Sequence, residues 1–118
     1  MEFVRVAKIA EFTPGVSRSV RVVGRHVRVY MDGEGVLRAM ENGCRHQGAD
    51  LSGGRREGSV VVCPRHGWRY DLATGACVGG DGRPLRAYHC RVEGENVLVS
   101  LFPVPEGTVA ETGRPGAP

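Results

Sequence analysis

The sequence predicts an all-β domain, an antiparallel β-sandwich or small barrel, and three observations predict it. Apolar residues alternate with polar ones in short bursts, the period of a strand with one buried face. Glycine punctuates those bursts, at 18 of 118 residues, far above the usual share of roughly 7%. No segment of ten residues keeps a 3.6-residue apolar period, so helix is limited to a turn or two. The length suits one domain with a modest core.

In chain order, strands are expected near Phe3 to Lys8, Ser19 to Val23, His26 to Met31 and Val36 to Met40. Val23-Gly24-Arg25 and Asp32-Gly33-Glu34-Gly35 turn the chain between them, Asp-Gly being a strong hairpin signal. A loop-rich stretch runs from Asn42 to Gly58. "SVVVC" (59–63) then reads as a buried strand, "WRYDL" as another, and Thr74-Gly75 as a hairpin turn. Leu85 to Val92 and Val97 to Leu101 form the last pair, joined by Glu93-Gly94-Glu95-Asn96. From Phe102 onward the chain holds four prolines and three glycines, so residues 103–118 are expected to be a mobile or surface-lying tail after a domain of residues 1–102.

Composition narrows the function. The opening "MEFVRVAKIAEF" alternates apolar and charged residues, and no later run is long and apolar enough for a signal peptide or a spanning helix. A cytoplasmic protein without membrane contact is expected. A net charge of +3 with no basic stripe gives no argument for nucleic acid. Four cysteines without an export signal favour a metal or redox role over a disulfide framework. Cys77 lies just after the Thr74-Gly75 turn and Cys90 in an expected strand, so both are expected to be free packing thiols, although a bridge between them is an alternative. His26 and His89 fall in expected strands and receive no role.

The chemistry concentrates in two glycine-rich loops. Cys44-x-His46 is followed, after sixteen residues, by Cys63-x-x-His66, with Gly43 and Gly48 around the first pair and Gly67 after the second. Glycine lets backbone amides approach a sulfur-containing cluster closely enough for N–H···S bonds. A thiolate and an imidazole from each loop suggest two metal positions rather than one. A structural Cys₂His₂ zinc site and a Cys44–Cys63 disulfide are the alternatives.

"CRHQGADLSGG" (44–54) and "CPRHGWRYDLATG" (63–75) resemble the Rieske [2Fe–2S] family, including the proline after the second cysteine and the glycine after its histidine. The resemblance extends over about residues 2 to 102 and implies a β-sandwich with a small cluster-binding subdomain built from loops 43–54 and 63–70. It also implies that Cys44 and Cys63 ligate an inner iron and His46 and His66 an outer, solvent-facing one. Two ferric ions, two sulfides, two thiolates and two neutral imidazoles sum to zero charge. Reduction is then easier than for a four-cysteine cluster, and the free imidazole nitrogens couple it to pH.

Departures refine the expectation. Members of quinol-oxidising complexes carry an extra cysteine in each loop and a serine that bonds a cluster sulfur, whereas this chain has Ala49, Arg65 and Trp68 at those positions. Fewer bonds to sulfur imply a potential near the roughly −150 mV floor of such centres, moderated if Tyr70 bonds a cysteine sulfur. The pattern looks more like soluble Rieske-type ferredoxins of aromatic-ring dioxygenase systems. The expected function is one-electron transfer, without catalysis, from a flavin-dependent NAD(P)H reductase to a terminal oxygenase, by a monomer. A small subunit of a larger reductase such as assimilatory nitrite reductase is the alternative. Gly48, Gly67, Trp68 and Tyr70 are expected around the cluster. Arg45 and Arg65 are expected to steer an acidic partner, and Trp68 either caps the cluster or joins that docking face.

Overall fold

The computed structural model describes residues 2–43, 51, 54–65, 67–105 and 107–116. Among them the strands are β1 (Phe3–Lys8), β2 (Ser17–Val22), β3 (Arg25–Met31), β4 (Leu37–Glu41), β5 (Arg55–Glu57), β6 (Val60–Val62), β7 (Arg69–Asp71), β8 (Cys77–Gly79), β9 (Ala87–Tyr88), β10 (Cys90–Glu93) and β11 (Asn96–Ser100). One 3-10 turn, Ile9–Glu11, follows β1. Three antiparallel sheets result, ordered β1-β11-β10, β2-β3-β4-β9 and β5-β6-β7-β8. No helix among the described residues is long and apolar enough to cross a membrane.

The second sheet is a wall between two cores. Successive side chains on a strand point to opposite faces. Val27, Val29 and Met31 of β3, with Leu37 and Ala39 of β4, therefore face the first core, where they meet Val97 and Val99 of β11. Tyr30 and Met40, on the alternate positions, face the second core with Leu51, Val61, Tyr70 and Leu72. With both faces covered, β3 is buried without interruption from Val27 to Met31, the pattern of a doubly covered strand. Each fully buried Val or Leu contributes about 1.5–3 kcal/mol, and both cores are stocked with them.

The structure departs from the sequence expectation in three places. The loop-rich stretch contains β5, whose three residues are all exposed. Charged, short edge strands carry no alternation to read, and they deter pairing with other chains. β8, three residues with a glycine, escaped for the same reason. The single strand expected from Leu85 to Val92 is two: β9 pairs with β4 and β10 with β11, so the chain changes sheets at His89. There the His89 amide donates to Ser100 Oγ and its carbonyl accepts from the Ser100 amide, both at 3.0 Å.

The tail lies along these strands. The Val104 amide donates to the Ala87 carbonyl at 2.8 Å, and Leu37 and Gly113 exchange amide bonds of 2.8 and 3.0 Å. Arg91 holds both carboxylate oxygens of Glu111, at 2.7 and 3.0 Å. Gly113 is buried so tightly that a Cβ there would lie 3.0 Å from a Val92 methyl.

Candidate metal centre

The second ligand-type loop is a closed turn between β6 and β7. The Cys63 amide donates to the Trp68 carbonyl at 2.7 Å, and the Cys63 carbonyl accepts from the Gly67 amide at 3.0 Å. Gly67 has φ +72°, in the left-handed region that favours glycine. That conformation turns the chain back into β7. The turn sets its residues on two sides: Cys63 is 1% exposed within the second core, whereas Pro64, Arg65 and Gly67 are exposed. Among the described residues Cys63, Cys77 and Cys90 are free thiols, so Cys77 and Cys90 are not bridged to one another. Cys44, Arg45, His46, Gly48 and His66 lie outside the described residues.

The first loop is described at its two ends, and these explain how it returns to Cys63. Asn42, 1% exposed, is engaged at every polar group. Its amide donates to the His26 carbonyl at 3.0 Å and its carbonyl accepts from the Leu51 amide at 3.2 Å. Its side-chain oxygen accepts from Arg28 Nε at 3.0 Å, and its Nδ2 donates to Ser19 Oγ at 2.7 Å. Arg28 also donates to Ser17 Oγ at 3.1 Å, so the buried guanidinium ties the entrance of the loop to β2 and β3. At the far end, a Cβ on Gly54 would lie 2.2 Å from the Val62 carbonyl. The first loop thus closes directly against the residue before Cys63, and only glycine permits that approach. Sequence reading passed over Arg28 and Asn42; the one signal available was an arginine and an asparagine amid strand-forming apolar residues.

The other side of the second loop is packed. Tyr70 is fully buried in the second core, and Trp68 and Cys77 are partly buried against it. A Cβ on Gly80 would fall 2.7 and 2.8 Å from two atoms of the Trp68 ring and 3.0 Å from Cys77 Sγ. Gly80, φ +157°, therefore gives the indole its seat, and Trp68 in turn supplies the carbonyl that holds the Cys63 amide.

The arginines expected around the site divide by partner. Glu57 accepts from Arg69 and pairs with Arg55 at 3.1 Å. The Arg69 charge, with Arg55 adding to it, holds the Glu57 carboxyl below its ordinary value. The Arg56 guanidinium lies 5.3 Å from the Tyr30 ring centroid and donates to the Gly58 and Gly15 carbonyls. Arg65 is exposed, with no ion pair among the described residues. Cys90 is a different kind of thiol: burial pushes it up to about 12.

Comparison with known proteins decides what this arrangement is. The family described as "Rieske [2Fe-2S] domain" matches residues 2–89. The chain belongs to the Rieske [2Fe–2S] family. The ferredoxin component of the naphthalene 1,2-dioxygenase system of Pseudomonas aeruginosa is 30% identical over 101 residues, covering 85% of this chain and 96% of that protein. The oxygenase component of 3-ketosteroid-9-alpha-monooxygenase of Mycolicibacterium smegmatis is 37% identical over 75 residues, 64% of this chain. This Rieske chain spans only 18% of that oxygenase's length. Among solved structures, the complex of reduced oxygenase and oxidised ferredoxin of carbazole 1,9a-dioxygenase contains a chain with TM-score 0.76 and 30% identity, covering 88% of this chain and 97% of that one.

The cofactor of this Rieske chain is a [2Fe–2S] cluster, and the described residues fit it. A free, buried thiol stands at the end of a strand inside a turn whose conformation is fixed by its own backbone bonds. The loop bearing the other Cys-His pair closes within contact of that strand end. The soft sulfur donor is shielded, while Arg65 on the same turn faces outward.

Proposed function

We propose that this Rieske chain is a one-electron carrier in the cytoplasm, taking electrons from an NAD(P)H-dependent flavin reductase and delivering them to a terminal oxygenase. The observation that carries this reading is the run of similarity along 96% of a ferredoxin component. In it, the Cys44 and Cys63 thiolates hold the inner iron and the His46 and His66 imidazoles the outer one. The burial of Cys63 supports its part. When bound, the cluster supplies a one-electron couple of higher potential than a four-cysteine cluster. The protein does the rest. Gly67 shapes the second turn, Trp68 fixes the Cys63 amide, Tyr70 closes the site from the core side, and Gly54 lets the first loop close against Val62. Residues 1–102 form the working domain and 103–118 its tail. Arg45 and Arg65 steer an acidic partner toward the histidines, so electron transfer slows as salt rises.

Electron paramagnetic resonance of the reduced protein tests the reading. A mean g value below that of four-cysteine clusters is expected, because histidines ligate the reduced iron. His66→Ala should abolish or grossly change the signal; an unaltered spectrum would refute the ligand set.

A further inference from the structure

The β2–β3 hairpin ends in a turn whose residue the fold itself does not ask for. Its two loop residues, Val23 and Gly24, have φ of +50° and +74°, and the flanking Val22 and Arg25 are paired. Two-residue turns with positive φ throughout ordinarily carry Asn-Gly or Asp-Gly. A β-branched side chain in the left-handed region is strained, and strain of this kind collects where function holds it. Val23 is also 59% exposed, so burial does not compensate.

The surroundings point to a partner of one charge. From Phe12 to Met31 the sequence has no acidic residue and four arginines. Of these, Arg28 is buried and Arg18 reaches Glu11 at 3.8 Å. Arg21 and Arg25 flank the tip without an acidic partner among the described residues. Arg21 contacts His26 Nε2 at 3.3 Å, and Arg25 lies 5.9 Å from the centroid of the Phe102 ring, which is 58% exposed. Arg86 adds a third guanidinium across an open cleft of about 550 Å³ that reaches from Gly24 to Gly43, the residue before Cys44; Glu41 also lines the cleft and accepts from the Arg86 amide at 2.7 Å, leaving arginine in excess there.

We infer that this hairpin face docks an acidic redox protein, with Val23 and Phe102 as apolar anchors and Arg21, Arg25 and Arg86 meeting its carboxylates. Apolar side chains bordered by charge are the anatomy of an interface, the anchors slowing release and the charges speeding encounter. The inference rests on the carrier reading above and deepens it. The partner sits to one side of the cluster loops, over the entrance of the first, rather than on Arg45 and Arg65 alone.

The test follows electron transfer by stopped-flow from dithionite-reduced protein to the oxygenase of carbazole 1,9a-dioxygenase, the component found with a ferredoxin in a solved complex. Val23→Asn relieves the turn strain, so it should raise the thermal midpoint yet lower the second-order rate constant about threefold. The double variant R21E/R25E should lower it about tenfold or more and weaken its salt dependence. Midpoint potential and paramagnetic spectrum should stay at wild-type values in both. Wild-type rate constants in both variants would overturn the docking face and leave the carrier reading standing. A wild-type protein that is reduced but passes no electrons would overturn the carrier reading and the face with it.

Discussion

The two cores each hold a cysteine of equal burial, Cys90 at 0% and Cys63 at 1% exposure, and their fates differ. Cys90 sits in β10 opposite Val99, among valines, with its amide bonded to the Glu111 carbonyl at 3.1 Å. Its surroundings are apolar, so burial raises the thiol to about 12 and keeps it protonated and inert. Cys63 stands where β6 ends, its amide and carbonyl both turned into its own loop, at the point the first loop approaches. Equal burial therefore leaves the two thiols in different settings: Cys90 lies within a strand, whereas Cys63 stands at a strand end in a turn closed by Gly67.

The sharpest way to break the comparison is to delete each sulfur. Cys63→Ala should lose iron and visible absorption completely. Cys90→Ala should retain both and cost about 1–2 kcal/mol in denaturant unfolding, as a small core truncation; loss of iron in it would erase the distinction. Next in size, Gly80→Ala should cost about 2 kcal/mol by driving a methyl into the Trp68 ring, and Trp68→Leu in the same chain should restore most of that. Gly33→Ala, at an exposed glycine with open space around its Cβ and no positive φ, should stay within about 0.5 kcal/mol of wild type.

A smaller effect appears against pH. The Cys90 thiol is raised from an ordinary 9.0 to about 12, so its neutral form stabilises the native state below pH 9. That contribution is lost as pH rises from 9 toward 12, because the unfolded thiol ionises first. Urea midpoints across this window should fall less steeply in Cys90→Ala than in wild type. The smallest effect belongs to Glu57, fully exposed between Arg69 and Arg55. Its carboxyl is held below its ordinary 4.5, first by the Arg69 charge. The stability it adds is present above 4.5 and fades as pH falls below it. Glu57→Gln should flatten the acid limb of the stability curve slightly, less so in high salt.

Much of this was legible from residue order. Alternation placed β1, β3 and β11, and the apolar run at 59–63 placed β6, within a residue or so of their observed ends, because apolar patterning of this kind is local to each strand. β5 and β8 were not legible: edge strands of three residues have too little buried face to leave a pattern. The break at His89 was invisible as well, since both halves read as strand and only the choice of neighbouring sheet divides them. Around the site, the glycines of the two loops were evident, but Gly80, far from either motif, acts through an indole that only folding brings over it.

The sequence by itself determined the chemistry. Two Cys-His pairs, their spacing and their flanking Pro and Gly are local properties, and they identify the family and its cluster. Tertiary structure alone decided which distant residues meet: Arg28 reaching Asn42, Gly54 meeting Val62, and Arg25 lying over the Phe102 ring. Those pairings join residues from 8 to 77 positions apart. Whether such residues meet depends on how the sheets stack, and no local pattern carries that information.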